Sequence, residues 1–261
     1  MKKNLFMMMA LLVAVSFQLI AQESADKKVP DTLNRTDANG HMYGFWTEKR
    51  GELTFKGEYA DNKKIKDWVG YYPNNTIYRI EYYTAGVREG IAVQFDRKCK
   101  LSMIEHFKNG LNDGQTIYYS PFNDQVTSET QYAVGKKNGL SRQFYENSKI
   151  QEESMYKNDL KNGISRFNNK NGQRIAEYNY KDGNFDGLQK TFYENDSLQT
   201  ANFYLDNKLS GESREYYRNG KLKVSGKYLN GLKDGPWTEY DELGKVEKVT
   251  RFKEGEEARK K

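Results

Sequence analysis

Cysteine, histidine and proline are scarce in this sequence, and their scarcity excludes several classes of protein. Cys99 is the single cysteine, so no disulfide can form within the chain, and backbone pairing and aromatic packing must hold the fold. We expect Cys99 to be buried as a small apolar residue. His41 and His106 are the only histidines. On an extended strand Cys99 and His106 would lie about 23 Å apart, which rejects a catalytic pair and predicts a surface strand position for His106.

Helical patterns and long apolar segments are also missing. Within residues 39–252 no segment avoids glycine and turn-forming pairs for long enough to hold more than a few helical turns. The one long apolar run covers residues 5–20 and is interrupted by Ser16 and Gln18. It is therefore shorter than the roughly 18 uninterrupted apolar residues that would indicate a membrane-spanning helix.

The N-terminus has the pattern of a secretory signal. Lys2 and Lys3 precede the apolar run, and Ala21 provides a small residue for cleavage before Gln22. We predict a signal peptide over residues 1–21 and an exported protein, periplasmic or secreted; the rival interpretation is an uncleaved membrane anchor. Residues 22–38 are polar and are predicted to form a linker, and residues 256–261 a charged tail.

Basic and acidic side chains are nearly balanced. The chain carries 42 Lys and Arg against 36 Asp and Glu, a formal net charge of +6, with the two signs interleaved throughout. This distribution favours solubility over any particular partner. We therefore expect no nucleic-acid partner for the exported chain, and we expect a monomer.

What the sequence does contain is a repeat. A closing aromatic recurs after 25 residues once and then after 24 residues five times, at Phe107, Tyr132, Tyr156, Tyr180, Tyr204, Tyr228 and Phe252. An opening glycine keeps nearly the same period at Gly90, Gly114, Gly139, Gly163, Gly187, Gly211 and Gly235. A fixed period of this length indicates a repeat architecture. The repeat domain covers residues 39–255, regular from 88 and degenerate over 39–87, where a capping unit is expected.

Each repeat has the pattern of a β-hairpin. Two short runs rich in Tyr, Phe, Val, Ile and Thr flank a pair such as Asn219-Gly220. Asn-Gly predicts a two-residue type I′ turn with positive φ at both residues. The predicted fold class is therefore all-β: an elongated, twisted antiparallel sheet of tandem hairpin repeats of about 24 residues, without a compact core.

A two-residue loop also fixes the register. It places Tyr217 opposite Leu222 and Gly211 opposite Tyr228, so that the closing aromatic covers a residue without a side chain. Tyr217, Leu222 and Tyr228 then share one face of the sheet, because side chains alternate along a strand.

A second glycine column follows the closing aromatics. Its members are Gly110, Gly135, Gly183, Gly231 and Gly255. Asp159 and Asn207 replace glycine at two places in this column. Because Asp and Asn tolerate the left-handed region better than most residues, these replacements indicate positive φ at this turn.

These features resemble MORN repeats, and in particular the MORN-repeat variant of bacteria. Residues 233–240, KDGPWTEY, carry the pattern most fully, followed by Leu243-Gly244, Phe252 and Gly255. The resemblance covers about residues 39–255. It implies a hairpin-repeat fold. Many similar proteins are called YwqK-like antitoxins, which would imply binding and neutralising a toxin, and MORN repeats are also associated with lipid contact.

No group of residues has the pattern of a catalytic, cofactor or metal site. Asp113, Asp186 and Asp234 precede opening glycines, but Asn or Ser holds this place in other repeats, as expected for turns. The remaining functional feature is aromatic residues beside Lys and Arg, which are typical of interaction surfaces. Our candidate binding surface consists of Phe192, Arg214, Tyr216, Lys223 and Tyr240. The alternative is that these aromatics only stabilise the sheet.

We therefore predict an exported, non-enzymatic repeat scaffold without cofactor or metal, which binds a protein or a polysaccharide in the bacterial envelope. A membrane-surface module and a toxin-neutralising binding protein are the alternatives.

Overall fold

The computed structural model describes residues 33–258, and every regular element in that range is a β-strand. The predicted signal peptide lies outside the described residues. The chain divides into two compact units. Unit 1 ends at Leu101 and also includes Phe107–Gly110; unit 2 consists of Ser102–His106 and the chain from Leu111 onwards. Among residues 33–258 there is no helix that is long and apolar enough to cross a membrane.

Unit 1 contains six complete strands that follow one another along the chain. They are β1 (Arg35–Thr36), β2 (Met42–Arg50), β3 (Leu53–Ala60), β4 (Lys63–Tyr71), β5 (Ile77–Thr84) and β6 (Val87–Phe95). From β1 to β6, neighbouring strands pair antiparallel. The following strand, β7 (Leu101–Lys108), contributes residues to both units.

Unit 2 continues the same pattern. Its further strands are β8 (Leu111–Asn112), β9 (Gly114–Tyr119), β10 (Val126–Ala133), β11 (Lys136–Phe144), β12 (Ile150–Lys157), β13 (Leu160–Asn168), β14 (Arg174–Lys181), β15 (Asn184–Phe185), β16 (Gly187–Phe192), β17 (Leu198–Leu205), β18 (Lys208–Tyr216), β19 (Leu222–Leu229), β20 (Leu232–Tyr240), β21 (Val246–Lys253) and β22 (Glu256–Glu257). From β9 to β22 the strands pair antiparallel with their neighbours in the sheet. The predicted all-β hairpin-repeat fold is confirmed.

The closing aromatic lies opposite the opening glycine, as predicted. Gly211 pairs with Tyr228, and the same pairing joins Gly44 to Tyr59 at the start of the repeat region. The opening glycines take positive φ, +86° at Gly211, and form bulges towards the preceding strand. Where glycine is missing, Lys66 takes this place opposite Tyr83 with φ of +57°.

The predicted turn at Asn219-Gly220 is wrong. The Gly220 amide donates to the Tyr217 carbonyl and the Tyr217 amide donates to the Lys221 carbonyl, which closes a three-residue loop. Gly220 has φ of +81°, whereas Asn219 stays outside the positive-φ region. A type I turn followed by one residue in the left-handed region is the next most common hairpin connection, and Asn-Gly suits it as well. The register shifts accordingly, so that Tyr216 rather than Tyr217 pairs with Leu222.

The two-residue turn with two positive φ angles occurs at the other connection. Asn230 and Gly231 have φ of +52° and +87°. The predicted positive φ at Asp159 and Asn207 is confirmed, at +69° and +65°. Their side chains also bond to the neighbouring turn: the Asp159 carboxylate accepts from the Lys137 amide at 2.8 Å. The non-glycine residues in this column therefore add a hydrogen bond that glycine cannot make.

Three hairpin turns are each joined to the turn that follows by the same pair of hydrogen bonds. The Tyr217 hydroxyl donates to the Tyr240 carbonyl at 2.7 Å, and Tyr193 and Tyr145 make the same bond 23 residues ahead. The side-chain amide of Asn219 donates to the Glu242 carbonyl at 3.1 Å, and the side chains of Asn195 and Asn147 make the same bond. We call this set the turn row.

Unit 1 has a hydrophobic core, so the prediction that no core forms is wrong there. One face of the sheet carries the closing aromatics and is called the aromatic face. On it Phe55, Tyr59 and Trp68 form a buried cluster, with the Tyr59 and Trp68 ring centroids 5.1 Å apart. On the opposite face Val69, Ile80, Val93 and Phe95 form a second cluster. Both faces therefore bury apolar side chains in unit 1.

Complementary side-chain sizes fill the aromatic face. Trp68 lies over Gly57 and Trp237 lies over Gly226, so closely that a Cβ atom on either glycine would overlap the indole ring. Between them small polar residues hold the place of the tryptophan: the Ser213 hydroxyl donates to Asn202 at 2.6 Å, and Thr130 bonds Ser141 at 2.9 Å.

The ends of the repeat region and Cys99 differ from expectation. Arg35–Thr36, inside the predicted linker, pairs with β2, and Glu256–Glu257, inside the predicted tail, pairs with β21. Cys99 is exposed at φ of +62° in a turn, so its predicted burial is wrong. His106 is half-buried in β7 and its Nδ1 lies 2.6 Å from the Gln115 carbonyl oxygen.

Candidate functional site

In each unit a line of cross-strand neighbours runs along the face opposite the aromatic face, and we call this position the central column. In unit 1 its members are Thr47, Lys56, Val69, Ile80 and Val93. In unit 2 its members are Ile104, Ile117, Glu129, Arg142, Glu153, Arg166, Glu177, Lys190, Ala201, Arg214, Ser225, Thr238 and Val249. The same backbone position therefore changes from mainly apolar to charged.

Over six strands of unit 2 the central column alternates acid and base. Arg142 contacts Glu129 at 2.9 Å and Glu153 at 2.7 Å, and Arg166 contacts Glu177 at 3.3 Å. Burial opposes the charge of Arg142, but the hydrogen bonds and charges of Glu153 and Glu129 outweigh it and raise the pKa of the guanidinium. These charges are therefore matched by their cross-strand neighbours.

The alternation ends at Ala201, beyond which the column continues with Arg214, Ser225 and Thr238. It occupies the place that Glu129, Glu153 and Glu177 hold in the preceding repeats, and it pairs in register with Lys190 on one side and Arg214 on the other. Two cations thus flank a methyl group instead of a carboxylate.

A shallow groove lies over Ala201. Its volume is about 640 Å³, and its lining includes Leu188, Leu198, Phe203 and Tyr216, the two cations, and the Glu212 carboxylate that pairs with Arg214. The Leu188 and Phe203 side chains are 38% and 42% exposed. The groove therefore presents apolar surface together with two cations and one carboxylate, a net positive charge, and this combination is typical of protein-binding surfaces.

The structure brings together two of the five predicted surface residues. Arg214 and Tyr216 line the groove. Phe192 is half-buried beside it, in register with Leu198, and the Arg174 guanidinium lies 5.8 Å from its ring centroid.

The other two predicted residues lie outside the groove lining. The Lys223 ammonium lies 5.9 Å from the centroid of the Tyr217 ring. Tyr240 is half-buried, and its carbonyl accepts the hydrogen bond from Tyr217.

Sequence reasoning missed Leu188, Lys190, Ala201 and Phe203. Only the glycine and aromatic columns were compared between repeats. A comparison of the Glu and Arg columns at the same spacing would have shown that the series Glu129, Glu153 and Glu177 ends at Ala201, with Ser225 next at that spacing.

A second, polar pocket of about 200 Å³ lies on the aromatic face. It is lined by hydroxyl, amide and charged groups, among them Tyr132, Ser141, Gln143, Glu152 and Tyr156. Burial, and then the charge of Glu152, raise the pKa of Tyr156, so its hydroxyl stays protonated and can donate. Such a pocket can hydrogen-bond a neutral polar ligand.

Buried ionisable groups in unit 1 form closed networks. The Glu81 carboxylate contacts Arg79, accepts from the Tyr83 hydroxyl at 2.7 Å, and lies 3.8 Å from Arg88. Burial alone would raise the pKa of Glu81, but Tyr83 and the two arginines outweigh it and lower the pKa. In this network the carboxylate is an acceptor for fixed partners, which is typical of a structural role.

Within the described residues no group of three or more His, Cys, Asp and Glu side chains could hold a metal ion. The groove and the polar pocket offer hydrogen bonds, charge and apolar contact. They are therefore suited to binding.

Comparison with protein families supports the repeat assignment. The family described as MORN repeat variant matches four stretches, residues 137–158, 185–206, 209–230 and 233–254. A comparison with curated proteins gave no match. MORN repeats are in general non-catalytic modules that bind proteins or membranes. Four repeats in the C-terminal half of the chain therefore match the MORN repeat variant, and the groove over Ala201 lies within the matched repeats.

Proposed function

We propose that this protein is an exported, monomeric, non-enzymatic repeat scaffold that binds a protein partner in the bacterial envelope through the groove of unit 2. The observation that carries the proposal is the groove itself: exposed Leu188 and Phe203 beside two cations, on a sheet face whose preceding charges are matched. Aromatic and arginine side chains beside apolar surface concentrate binding energy in protein interfaces.

Capture from an envelope extract tests this function. The immobilised protein is compared with a variant carrying Leu188→Asp and Phe203→Asp, because two carboxylates in the groove oppose apolar contact. We expect defined envelope proteins to bind the unchanged protein and to be lost from this variant. The matched control carries Leu140→Asp and Met155→Asp, which pair in the same way two repeats earlier. Equal capture by both variants would contradict the proposal.

Export is part of the proposal, and its support is the N-terminal pattern of Lys2, Lys3 and Ala21. N-terminal sequencing of the envelope or culture-fluid product should begin at or near Gln22. A product that keeps Met1 in the membrane fraction would contradict export.

A polysaccharide is the second candidate partner, and the polar pocket on the aromatic face favours it. Tyr132 and Tyr156 flank Ser141, Gln143 and Glu152, an arrangement that suits the hydroxyl groups of a sugar. A polysaccharide partner would be supported by glycan-array binding that is lost in Gln143→Ala and kept in the variant carrying Leu188→Asp and Phe203→Asp.

A membrane surface and a toxin are the partners that the MORN resemblance implies. Co-sedimentation with anionic vesicles at increasing salt tests the first, since binding through basic residues weakens with ionic strength. If the protein stays out of the vesicle pellet at every salt concentration, a protein partner is the better explanation.

A further inference from the structure

We propose that the groove over Ala201 takes a carboxylate from an acidic segment of the partner protein, which completes the central column between Lys190 and Arg214. This inference rests on the proposed protein-binding function and names the chemistry of the partner. The juxtaposition that carries it is an alanine methyl between two cations, at the point where the alternation from Glu129 to Lys190 lacks its next carboxylate; beyond Arg214 the column continues with Ser225.

The two cations beside Ala201 have weaker partners than those earlier in the column. Lys190 lies 3.7 Å from Glu177, a carboxylate that also serves Arg166 and Arg174 at 3.3 and 3.4 Å. Three cations thus share one carboxylate. By contrast, Arg142 has two glutamates within 2.9 Å.

Arg214 makes its ion pair along its own strand. Its guanidinium contacts Glu212 at 2.6 Å, and both side chains are largely exposed. Exposed pairs of this kind contribute little free energy, so exchanging Glu212 for a ligand carboxylate costs little. In the preceding repeats the corresponding arginine, Arg166, instead reaches glutamates across the sheet, Glu177 at 3.3 Å and Glu153 at 3.5 Å.

The spacing suits one carboxylate between the two cations. Lys190 and Arg214 lie on strands two apart, about 9.6 Å at the usual strand separation, with the Ala201 strand between them. Both long side chains can therefore reach an oxygen pair placed above the alanine methyl. An arginine fork also matches the planar geometry of a carboxylate.

The apolar lining favours a protein segment over other anions. Leu188, Leu198 and Phe203 would contact apolar side chains that flank the acidic residue. Two cations are fewer than the basic clusters that hold proteins at an anionic bilayer. We therefore infer an acidic residue flanked by leucine, phenylalanine or similar side chains.

The test uses a capped, fluorescein-labelled peptide in which glutamate alternates with leucine and phenylalanine, titrated by fluorescence anisotropy. Its twin carries glutamine for glutamate. We expect the unchanged protein to bind the acidic peptide and to bind the twin roughly tenfold more weakly, because a charge-assisted hydrogen bond is lost. Absence of acidic-peptide binding, or equal binding of the twin, would overturn the proposal.

Substitution of Ala201 separates charge from size. Ala201→Glu supplies the missing carboxylate from within and should weaken acidic-peptide binding by roughly tenfold or more, whereas Ala201→Gln, of equal size, should weaken it less. In the reverse experiment, Glu153→Ala opens the same gap between Arg142 and Arg166, beside Leu140 and Met155, and should create a second peptide site. Equal affinities of the Glu and Gln variants would contradict the carboxylate.

The outcomes also separate this inference from the proposed function. If Ala201→Glu leaves acidic-peptide binding unchanged while the Leu188→Asp and Phe203→Asp variant loses its envelope partner, the groove binds protein but not through a carboxylate. If vesicles of phosphatidylcholine with phosphatidylserine, rather than the peptide, bind in a way that Ala201→Glu abolishes, the anion is a lipid headgroup and the proposal is wrong.

Discussion

Ile80 in unit 1 and Ala201 in unit 2 hold the same place in their hairpins, and their surroundings could hardly differ more. Ile80 pairs with Val69 and Val93, and all three are buried, Val93 to 1% exposure. The corresponding neighbours of Ala201 are Lys190 and Arg214, beside an open groove. One backbone register thus carries a hydrophobic cluster in one unit and a charged surface in the other. The repeat specifies where side chains point, and the individual residues decide what that position does.

The largest expected effect comes from placing the same carboxylate at both positions. Ile80→Glu buries a charge among Val69, Val93 and Phe95 and should cost about 4 kcal/mol or more, because nothing of opposite charge faces it in the cluster. Ala201→Glu should be neutral or stabilising, since Lys190 and Arg214 flank it.

Hydrogen exchange measures both variants residue by residue. Ile80→Glu should remove protection from β3 to β6 and leave β11 to β20 protected. A similar loss in the two variants would show that the burial of the central column does not differ between the units.

The next effect concerns Glu81, whose network belongs to unit 1 alone. Glu81→Gln removes the negative charge between Arg79 and Arg88 and should cost roughly 3–5 kcal/mol, as for other broken buried pairs. Because the folded state lowers the pKa of Glu81, its contribution is complete above the unfolded value and is lost as the pH falls through the folded pKa.

Acid titration, monitored in unit 1 by hydrogen exchange or tryptophan fluorescence, checks the direction of this pH dependence. The unchanged protein should lose stability in unit 1 as the pH falls below about 4.3, the ordinary value for glutamate. The Gln variant should show a flatter dependence. A steeper one would mean that another group controls the acid response.

A smaller effect tests packing on the aromatic face. Gly57→Ala and Gly226→Ala each place a Cβ against an indole ring, Trp68 and Trp237, and should cost roughly 1–3 kcal/mol. Trp68 is 1% exposed and has the less room to move, so Gly57→Ala should cost more. Chemical denaturation of the two variants shows which substitution lowers the free energy of unfolding more.

A double substitution provides the control for this packing. Gly226→Asn with Trp237→Ser copies the Asn202 and Ser213 pair found one repeat earlier, and it should be more stable than Gly226→Asn alone. If adding Trp237→Ser did not restore stability to the Gly226→Asn variant, the side-chain sizes at positions 226 and 237 would not be coupled.

The smallest effect is expected in the charged part of the central column. Arg142→Met removes the contacts to Glu129 and Glu153 and should cost about 0.5–1 kcal/mol, since all three side chains are partly exposed. Melting at low and high salt checks it: the difference from the unchanged protein should shrink as salt screens the pair. A loss as large as that of Ile80→Glu would contradict the contrast between the two units.

The hairpin repeat could be predicted because its requirements are local. Glycine at a positive φ and an aromatic opposite it recur at a fixed spacing, so Gly211 and Tyr228 reveal their pairing without any knowledge of the rest. The turn at Asn219-Gly220 was mistaken because Asn-Gly suits both the two-residue and the three-residue loop. The predicted elongation of the sheet stays a prediction.

Burial and the groove could not be predicted in the same way. Alternation along β5 places Ile80 and Glu81 on opposite faces, but it does not say that both faces are buried. Arg214 and Tyr216 could be predicted because arginine and tyrosine are typical of interaction surfaces. Ala201 was overlooked because its importance lies in the glutamate that it replaces, and only the paired register shows which cations that glutamate would have met.

The turn row has a consequence for how such a chain can change its length. The turns that begin at Tyr145, Tyr193 and Tyr217 each offer a tyrosine hydroxyl and an asparagine side-chain amide to the carbonyls 23 residues ahead. A duplicated segment of one period would therefore arrive with its own donors and would meet acceptors already in place on the turn that follows. Copies could be gained or lost by unequal recombination without redesigning either neighbour, and a single later substitution, such as alanine for glutamate, would suffice to make one copy different from the rest.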